Sequence, residues 1–146
     1  MAIGQLLLER ELYRVLCRYA RACDERDWAA MAQVFTPACV ADYGGHHCAN
    51  RETIVAMIRA HLGGCGPSQH LLGNFLVDHS GGAAPSSRIS VRAAHRGSGD
   101  RKALRYEALG DYLDHWVLTV EGWRIARRTM CMTLEMGDRN MLRPSP

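Results

Sequence analysis

The sequence has six cysteines but no C-x-x-C pair among them, and their spacing fits neither a zinc site nor a thiol redox motif. It also has no apolar run near the roughly 18 residues of a membrane-spanning helix. The run Leu6-Leu7-Leu8 is short and ends at Glu9. The N-terminus lacks the basic region and apolar core of a signal peptide. We therefore expect free thiols, a cytoplasmic location and no membrane partner.

Basic charge is not concentrated either. The 146 residues carry a net charge of +3, and the densest basic group, Arg124, Arg127 and Arg128, has only Trp123 as an aromatic neighbour. Nucleic-acid surfaces combine clustered basic residues with stacking aromatics, so we expect no nucleic-acid partner. The length and the hydrophobic fraction of 47% predict one globular domain with its own core.

The first part of the chain is typical of helices. Apolar residues recur at intervals of three or four over residues 3–23, which predicts one long amphipathic helix: Leu8, Leu12, Leu16, Tyr19 and Cys23. Asp27 is a good N-cap for a short second helix that Thr36-Pro37 ends. Asn50 is a good N-cap for a third helix, which stops at Gly63-Gly64.

The remainder is typical of strands. A strand over 38–43 ends at Gly44-Gly45, and longer strands follow between glycine-containing turns: 70–78, 87–96, 103–120 and 123–135. The predicted helices come first along the chain and most of the strands follow. This order favours an α+β fold with a mainly antiparallel sheet over an alternating parallel fold. A long curved sheet wrapped around the N-terminal helices forms a cone with an interior pocket.

Asp24 and His70 are the candidate catalytic residues. Asp24 ends the apolar stripe of the first helix, and His70 lies in an apolar strand. A carboxylate orients and charge-stabilises an imidazole, which then removes a proton from a substrate. Each residue also has a structural explanation, Asp24 as a solvated turn residue and His70 as a core histidine bonded to a backbone carbonyl. They act as a pair only if they meet in a cavity.

Five other residues are candidates for substrate binding: Tyr19, Tyr43, Asn74, His95 and Tyr112. Tyr43 has a phenol that can donate to a developing oxyanion, although a rim position in water explains it equally well. Asn74 lies four residues after His70, so strand alternation places both on one face. His95 follows Ala93-Ala94, and small residues there leave room in a pocket.

Alternation along the later strands makes two more predictions. Tyr112, Asp114 and Trp116 share one face, with His115 on the other. Arg127 and Arg128 must face opposite ways, and the inward one either pairs with Asp114 or binds an anionic substrate.

The sequence also contains His46-His47-Cys48, which resembles a set of metal ligands. Adjacent side chains of an extended segment diverge, and no further ligand follows at suitable spacing, so we expect no metal.

Taken together, these residues resemble a known family. The motifs that carry the resemblance lie within about residues 5–135: Arg18-Tyr19-Ala20, Asp24-Glu25-Arg26-Asp27-Trp28, Val34-Phe35-Thr36-Pro37, Asp42-Tyr43, Gln69-His70-Leu71-Leu72-Gly73-Asn74, Gly110-Asp111-Tyr112-Leu113-Asp114 and Gly122-Trp123-Arg124-Ile125-Ala126-Arg127-Arg128. They are similar to SnoaL-like proteins of the nuclear transport factor 2-like superfamily, of the scytalone dehydratase and hexachlorocyclohexane dehydrochlorinase type. The resemblance implies one cone-shaped α+β barrel domain over residues 1–136 and a C-terminal tail over 137–146.

The resemblance also implies an activity. Enzymes of this type eliminate water or hydrogen halide with an Asp–His dyad in an apolar pocket and use no cofactor. Asp24 and His70 match the dyad, His95 is similar to a second pocket histidine, and Tyr43 is similar to a tyrosine that binds water. Cys23 stands where scytalone dehydratase has a tyrosine, which implies a different substrate.

We therefore expect a cofactor-independent lyase of the dehydratase type, acting on a small hydroxylated cyclic or polyketide-like substrate. An isomerase or cyclase on the same substrate class is an alternative, and so is a non-catalytic small-molecule-binding or assembly module. The apolar residues Trp116, Val117, Leu118 and Val120 predict self-association, as a homodimer or a homotrimer.

Overall fold

The two predicted long helices form, each with the predicted start. The structure is a computed structural model that describes residues 2–142. Helix α1 (Ile3–Glu25) buries the predicted apolar stripe and ends at Arg26, whose φ of 57° is left-handed. Helix α2 (Arg51–Leu62) begins at Asn50, whose side chain accepts a hydrogen bond from the Thr53 amide while Thr53 caps the Asn50 amide in return. No helix among residues 2–142 is long and apolar enough to cross a membrane.

The short second helix is smaller than predicted. It is a 3₁₀ helix (Trp28–Gln33) that Asp27 caps by accepting a hydrogen bond from the Ala30 amide. The expectation that it continues to Thr36-Pro37 is wrong, because strand β1 (Phe35–Tyr43) already begins at Phe35, which is fully buried and pairs with Ile125.

Six strands form one sheet, and the predicted α+β class is confirmed. After β1 come five further strands: β2 (His46–Cys48), β3 (Ser68–Asp78), β4 (Ser86–Arg96), β5 (Arg105–Thr119) and β6 (Gly122–Gly137). Their order is β2-β1-β6-β5-β4-β3, antiparallel throughout except for the parallel pair β1–β6. The sheet is curved but not closed, so the predicted cone is an open one with β2 and β3 at its edges.

Two irregularities in β6 decide which of its residues face the core. The β5–β6 register shifts at Leu109/Gly110 and again at His115/Trp116, where Ala126 is the extra residue on β6. The second shift places Arg128 opposite Asp114 on the concave side and leaves Arg127 exposed on the outside.

The core lies between α1, α2 and the concave face of the sheet. Its fully buried members come from all these elements: Leu12, Leu16, Ile54, Ile89, Trp116 and Ile125. The shared inward face of Tyr112, Asp114 and Trp116 is confirmed, since all three are buried while His115 is exposed. The expectation that Trp116 takes part in self-association is therefore wrong, because its side chain is buried.

After β6 the chain forms another 3₁₀ helix (Arg139–Leu142), and Met141 is buried beside Tyr106 and Ala108. The loose end predicted for Arg143-Pro144-Ser145-Pro146 lies outside the described residues.

Candidate active site

A cavity of about 380 Å³ opens on the concave side of the sheet. Its walls are mainly apolar and aromatic, and five of the seven predicted site residues line it: Tyr19, Tyr43, His70, His95 and Tyr112. Residues of α2 and of the C-terminal 3₁₀ helix, among them Met57 and Leu142, complete the wall. A larger surface groove of about 770 Å³ near the start of α1 contains none of the predicted site residues.

Asp24 and His70 meet directly behind this cavity. The Nδ1 atom of His70 lies 2.7 Å from Oδ1 of Asp24, and the backbone amide of His70 donates to Oδ2 at 2.8 Å. Ser68, two residues earlier on the same face of β3, donates its hydroxyl to Oδ1 at 2.9 Å. Packing of the C-terminal end of α1 against β3 therefore brings both candidate residues together and fixes the carboxylate by three hydrogen bonds.

The protonation of this pair follows from its hydrogen bonds. Burial alone raises the pKa of Asp24, but the bonds from His70 and Ser68 more than offset it and lower that pKa below its ordinary value. An ionised carboxylate only accepts, so Nδ1 of His70 carries a proton, and in the neutral imidazole the lone pair is on Nε2. Nε2 makes no hydrogen bond to residues 2–142, and His70 lines the cavity. The imidazole is thus set up as a proton acceptor toward the cavity.

Arg26 supports the carboxylate from behind. Its guanidinium donates to Ser68 Oγ at 2.7 Å, to the Cys23 carbonyl at 2.7 Å and to the Gly66 carbonyl at 2.6 Å. Because Ser68 accepts from Arg26, its own hydroxyl proton is directed to Asp24. The left-handed backbone at Arg26 aims its side chain back toward the end of α1, at the cost of a conformation that non-glycine residues rarely adopt.

His95 lies in the same cavity in a different state. Its Nδ1 is 3.0 Å from the Tyr106 carbonyl oxygen, and a carbonyl only accepts, so Nδ1 carries the proton. The ring stacks on Tyr106 and meets the His70 ring edge-on, with 5.8 Å between the ring centroids. Burial lowers the pKa of His95 to about 4. This imidazole is neutral at pH 7 and has no proton to donate into the cavity.

Three tyrosines line the cavity, and the buried Arg128 lies behind them. Tyr19 and Tyr43 share a hydrogen bond of 3.1 Å between their hydroxyls, and Arg128 donates to the Tyr43 hydroxyl at 3.4 Å. The Arg128 guanidinium lies 4.3 Å from the Tyr19 ring centroid and 4.0 Å from that of Tyr112. Burial raises the pKa of Tyr43 to about 12 and also raises that of Tyr112, so both phenols stay protonated donors.

Arg128 is the inward member of the arginine pair, and it pairs with Asp114. The contact is bidentate, at 2.8 and 2.9 Å, with both side chains fully buried. Burial alone lowers the pKa of Arg128, but the Asp114 carboxylate more than offsets this and raises it above its ordinary value. The pair neutralises its own charge, so this arginine is not free to bind an anionic group of a substrate.

The expectation that Asn74 shares the face of His70 is wrong. The β3–β4 register shifts between Gly73 and Leu76, and Asn74 within this shift has a left-handed φ of 54°. The shift breaks the alternation on which the expectation depended, and Asn74 is exposed outside the cavity.

Two other polar groups of the site have different roles. Burial raises the pKa of the Cys23 thiol, which lines the cavity, to about 12, so it is protonated and not a nucleophile at neutral pH. In the His46-His47-Cys48 segment the histidines are exposed and Cys48 is buried. Within residues 2–142 no three His, Cys, Asp or Glu side chains are grouped so that they can hold a metal ion.

Sequence reasoning missed Ser68, Arg26 and the mouth of the cavity. Ser68 could have been predicted from the sequence, since it precedes His70 by two residues and strand alternation puts both on one face. Nothing local indicates that Arg26 supports the site, because Ser68 and Gly66, which its guanidinium joins to the end of α1, are about 40 residues away. At the mouth, Arg139 bonds Glu135, which also accepts a hydrogen bond from the Tyr106 hydroxyl.

The open curved sheet, the long N-terminal helix and the apolar cavity with its buried carboxylate–imidazole pair define a class of small pocket proteins. Comparison with known proteins gives the family. SnoaL-like domains match residues 4–129. An uncharacterised protein of Mycobacterium tuberculosis is 32% identical over 130 residues, which are 88% of this chain and 87% of that relative. The chain belongs to the family of SnoaL-like domain proteins.

Solved structures agree with this assignment. A scytalone dehydratase-like protein of Novosphingobium aromaticivorans has a TM-score of 0.83 at 21% identity, covering 93% of this chain and 91% of that chain. A type 3 hexachlorocyclohexane dehydrochlorinase of Novosphingobium barchaimii has a TM-score of 0.78 at 9% identity, covering 91% of each chain. At these identities the likeness shows the fold alone, that of the nuclear transport factor 2-like superfamily. The predicted family and fold are confirmed.

Proposed function

We propose that the protein is a cofactor-independent lyase that eliminates water from a small hydroxylated cyclic or polyketide-like carbonyl compound. The observation that carries the proposal is the 2.7 Å bond between Asp24 and His70, which leaves Nε2 of His70 as a free base beside an apolar cavity. The family and the dehydratase-like and dehydrochlorinase structures of the same fold support an elimination.

The reaction begins with transfer of a proton from carbon to His70. Nε2 takes the proton from the carbon next to the carbonyl, and the C–H electron pair becomes an enolate. The Asp24 carboxylate stabilises the resulting imidazolium. The Tyr19–Tyr43 hydroxyl pair, which Arg128 polarises, donates a hydrogen bond to the enolate oxygen.

The elimination then follows from the enolate. Its electron pair forms the new C=C bond and expels the β-hydroxyl, which leaves as water with the proton held on His70. His70 returns to its neutral form, so acid and base are one residue. His95 does not supply this proton, because its Nδ1–H is bonded to the Tyr106 carbonyl and its Nε2 has none. His95, a substrate-binding candidate from the sequence, therefore does not act as the acid in this mechanism.

An isomerase is the second candidate, and the use of His70 as both base and acid favours it equally. If the substrate is an unsaturated ketone, the proton on Nε2 returns to a different carbon of the conjugated dienolate, and no leaving group and no second acid are needed. A purely ligand-binding module is less well supported, since a buried ionised carboxylate costs free energy that binding of an apolar ligand does not recover.

The test is proton exchange and enone formation in D₂O with a panel of cyclic β-hydroxy ketones and cyclic β,γ-unsaturated ketones. We expect the protein to exchange the α-proton, followed by nuclear magnetic resonance, and to form an enone, followed by absorbance. His70→Asn lowers both rates by about 10²–10⁴-fold, and Asp24→Asn lowers them as well. His115→Gln, on the outer face of β5, is the matched control and leaves them unchanged.

The outcomes separate the candidates. Enone formation with loss of water from a β-hydroxy ketone supports the lyase, and migration of the double bond of a β,γ-unsaturated ketone without loss of water supports the isomerase. Binding of panel members without α-proton exchange contradicts both and favours a binding module.

A further inference from the structure

Four histidines line the cavity, of which His46 and His61 are exposed. The other two, His70 and His95, have largely buried side chains, and the mechanism uses only His70. His70 Nε2 and His95 Nε2 make no hydrogen bond to residues 2–142. Neither is sealed off, because among these residues no fully buried side-chain nitrogen or oxygen lacks a partner. Both histidines line the cavity, and their rings lie 5.8 Å apart between centroids.

The state of His95 is fixed by its surroundings. The Tyr106 carbonyl accepts the Nδ1 proton, and the stacked Tyr106 ring holds the imidazole plane. Burial and the neighbouring His70 and Arg26 oppose a second proton. His95 is therefore an acceptor toward the cavity and never a donor at neutral pH.

The rest of the lining limits the ligand further. Among the described residues no Asp or Glu lines the cavity, and its one arginine, Arg139, is bonded to Glu135 at the mouth. The buried part of the cavity thus offers phenol donors and the two imidazoles of His70 and His95, with no carboxylate and no unpaired guanidinium to bind an ion.

We propose that His95 is a specificity-determining residue, whose Nε2 accepts a hydrogen bond from a hydroxyl that the substrate keeps through the reaction. This inference rests on the proposed function in taking the cavity as the substrate site. It names the substrate as an uncharged hydroxylated carbonyl compound with a second O–H donor, besides the hydroxyl that is eliminated. A halogen or an ether oxygen at that position has no proton to donate and meets the Nε2 lone pair instead, so halogenated analogues are disfavoured.

The test uses three small aromatic probes that differ at one position: 4-fluorophenol, 4-fluoroanisole and 1-chloro-4-fluorobenzene. Titrations followed by fluorine resonance give their dissociation constants. We expect 4-fluorophenol to bind about tenfold more tightly than the other two, because those two leave the buried Nε2 acceptor unpaired. His95→Phe abolishes this preference, while His70→Asn, which stops the proposed chemistry, preserves it.

A second measurement does not depend on how the variants fold. In the wild-type protein with ¹⁵N-labelled histidine, we expect His95 to have its proton on Nδ1 at pH 7. Its Nε2 resonance shifts when 4-fluorophenol is added and does not shift with 1-chloro-4-fluorobenzene.

Two results overturn the proposal. One is a phenol preference that survives His95→Phe or disappears in His70→Asn, which would make His70 the acceptor. The other is a proton on Nε2 of His95. Neither outcome bears on α-proton exchange, so failure of this inference is distinguishable from failure of the proposed function.

Discussion

Ser68 decides how firmly Asp24 is held as an anion. Its hydroxyl donates to Oδ1, and this bond is one of the causes that lower the pKa of Asp24. The pKa of Asp24 is lower in the folded protein than in the unfolded chain. The ionised carboxylate therefore stabilises the fold at every pH above the ordinary pKa of an aspartate. This contribution is lost as the pH falls through the lowered pKa.

We predict that Ser68→Ala raises the pKa of Asp24 toward its ordinary value. The free energy of unfolding then changes less between pH 7 and pH 3 than it does in the wild-type protein. The reason is the loss of one of three hydrogen bonds to the carboxylate, while the bonds from His70 remain. A carbon-13 titration of the Asp24 carboxyl measures the pKa, and denaturation at pH 7 and pH 3 measures the stability.

The matched control is Ser90→Ala. Ser90 makes the same kind of bond, 2.9 Å to Asp111 Oδ1, on the outer face of the sheet. We expect it to leave the Asp24 titration unchanged. An unchanged Asp24 titration in Ser68→Ala as well would contradict the role assigned to Ser68.

At the level of elements, alternation predicts faces well until a strand is irregular. Tyr112, Asp114 and Trp116 on β5 lie as alternation predicts, and so does the contrast between Arg127 and Arg128. Which arginine turns inward depends on the extra residue at Ala126, and no local pattern marks it.

Asn74 is the opposite case. Gly73-Asn74 is itself a signal for a bulge, because both residue types tolerate unusual backbone conformations, and that signal outweighs the period of two. Ser68 and His70 lie before the irregularity, where the period still holds. The contact of Asp24 with His70 joins two elements about 46 residues apart and follows from tertiary packing, so the sequence supported it only by resemblance.

The irregularity next to Gly110 predicts a stability difference between two strand glycines. A Cβ at Gly110 would lie 2.2 Å from the Cys131 carbonyl oxygen, so Gly110→Ala must displace the β5–β6 backbone. We expect it to destabilise the protein by about 1–3 kcal/mol, as overpacking does. Urea denaturation gives the free energy of unfolding.

Gly73→Ala provides the comparison within the same sheet. A Cβ there has nothing within 4 Å, and Gly73 does not have a positive φ. We expect a change of less than about 1 kcal/mol, with stabilisation favoured because alanine restricts the unfolded chain. Equal losses in the two variants would show that the close approach at Gly110 does not limit stability.

On the scale of the whole molecule, the outer face of the open sheet is left uncovered in the single chain. One row across four strands runs Leu71, Arg92, Leu109 and Leu134, and Leu71 and Leu134 are 58% and 44% exposed. Arg92 bonds Glu107 beside this row. The face therefore combines exposed leucines with arginine charge that is already neutralised, and two copies can meet there without opposing like charges.

We propose that this face binds a second copy of the chain, and we predict that light scattering gives the mass of a dimer or a trimer. The double variant Leu71→Glu/Leu134→Glu becomes monomeric, because it places two unpaired carboxylates in the contact. Leu118→Glu, near the β5–β6 hairpin, is the comparison: it lies within the apolar stretch that the sequence indicated, and it is 62% exposed. If Leu118→Glu alone makes the protein monomeric, the interface lies at the β5–β6 hairpin and not on the row of leucines. A monomeric wild-type chain at micromolar concentration would contradict self-association at either place.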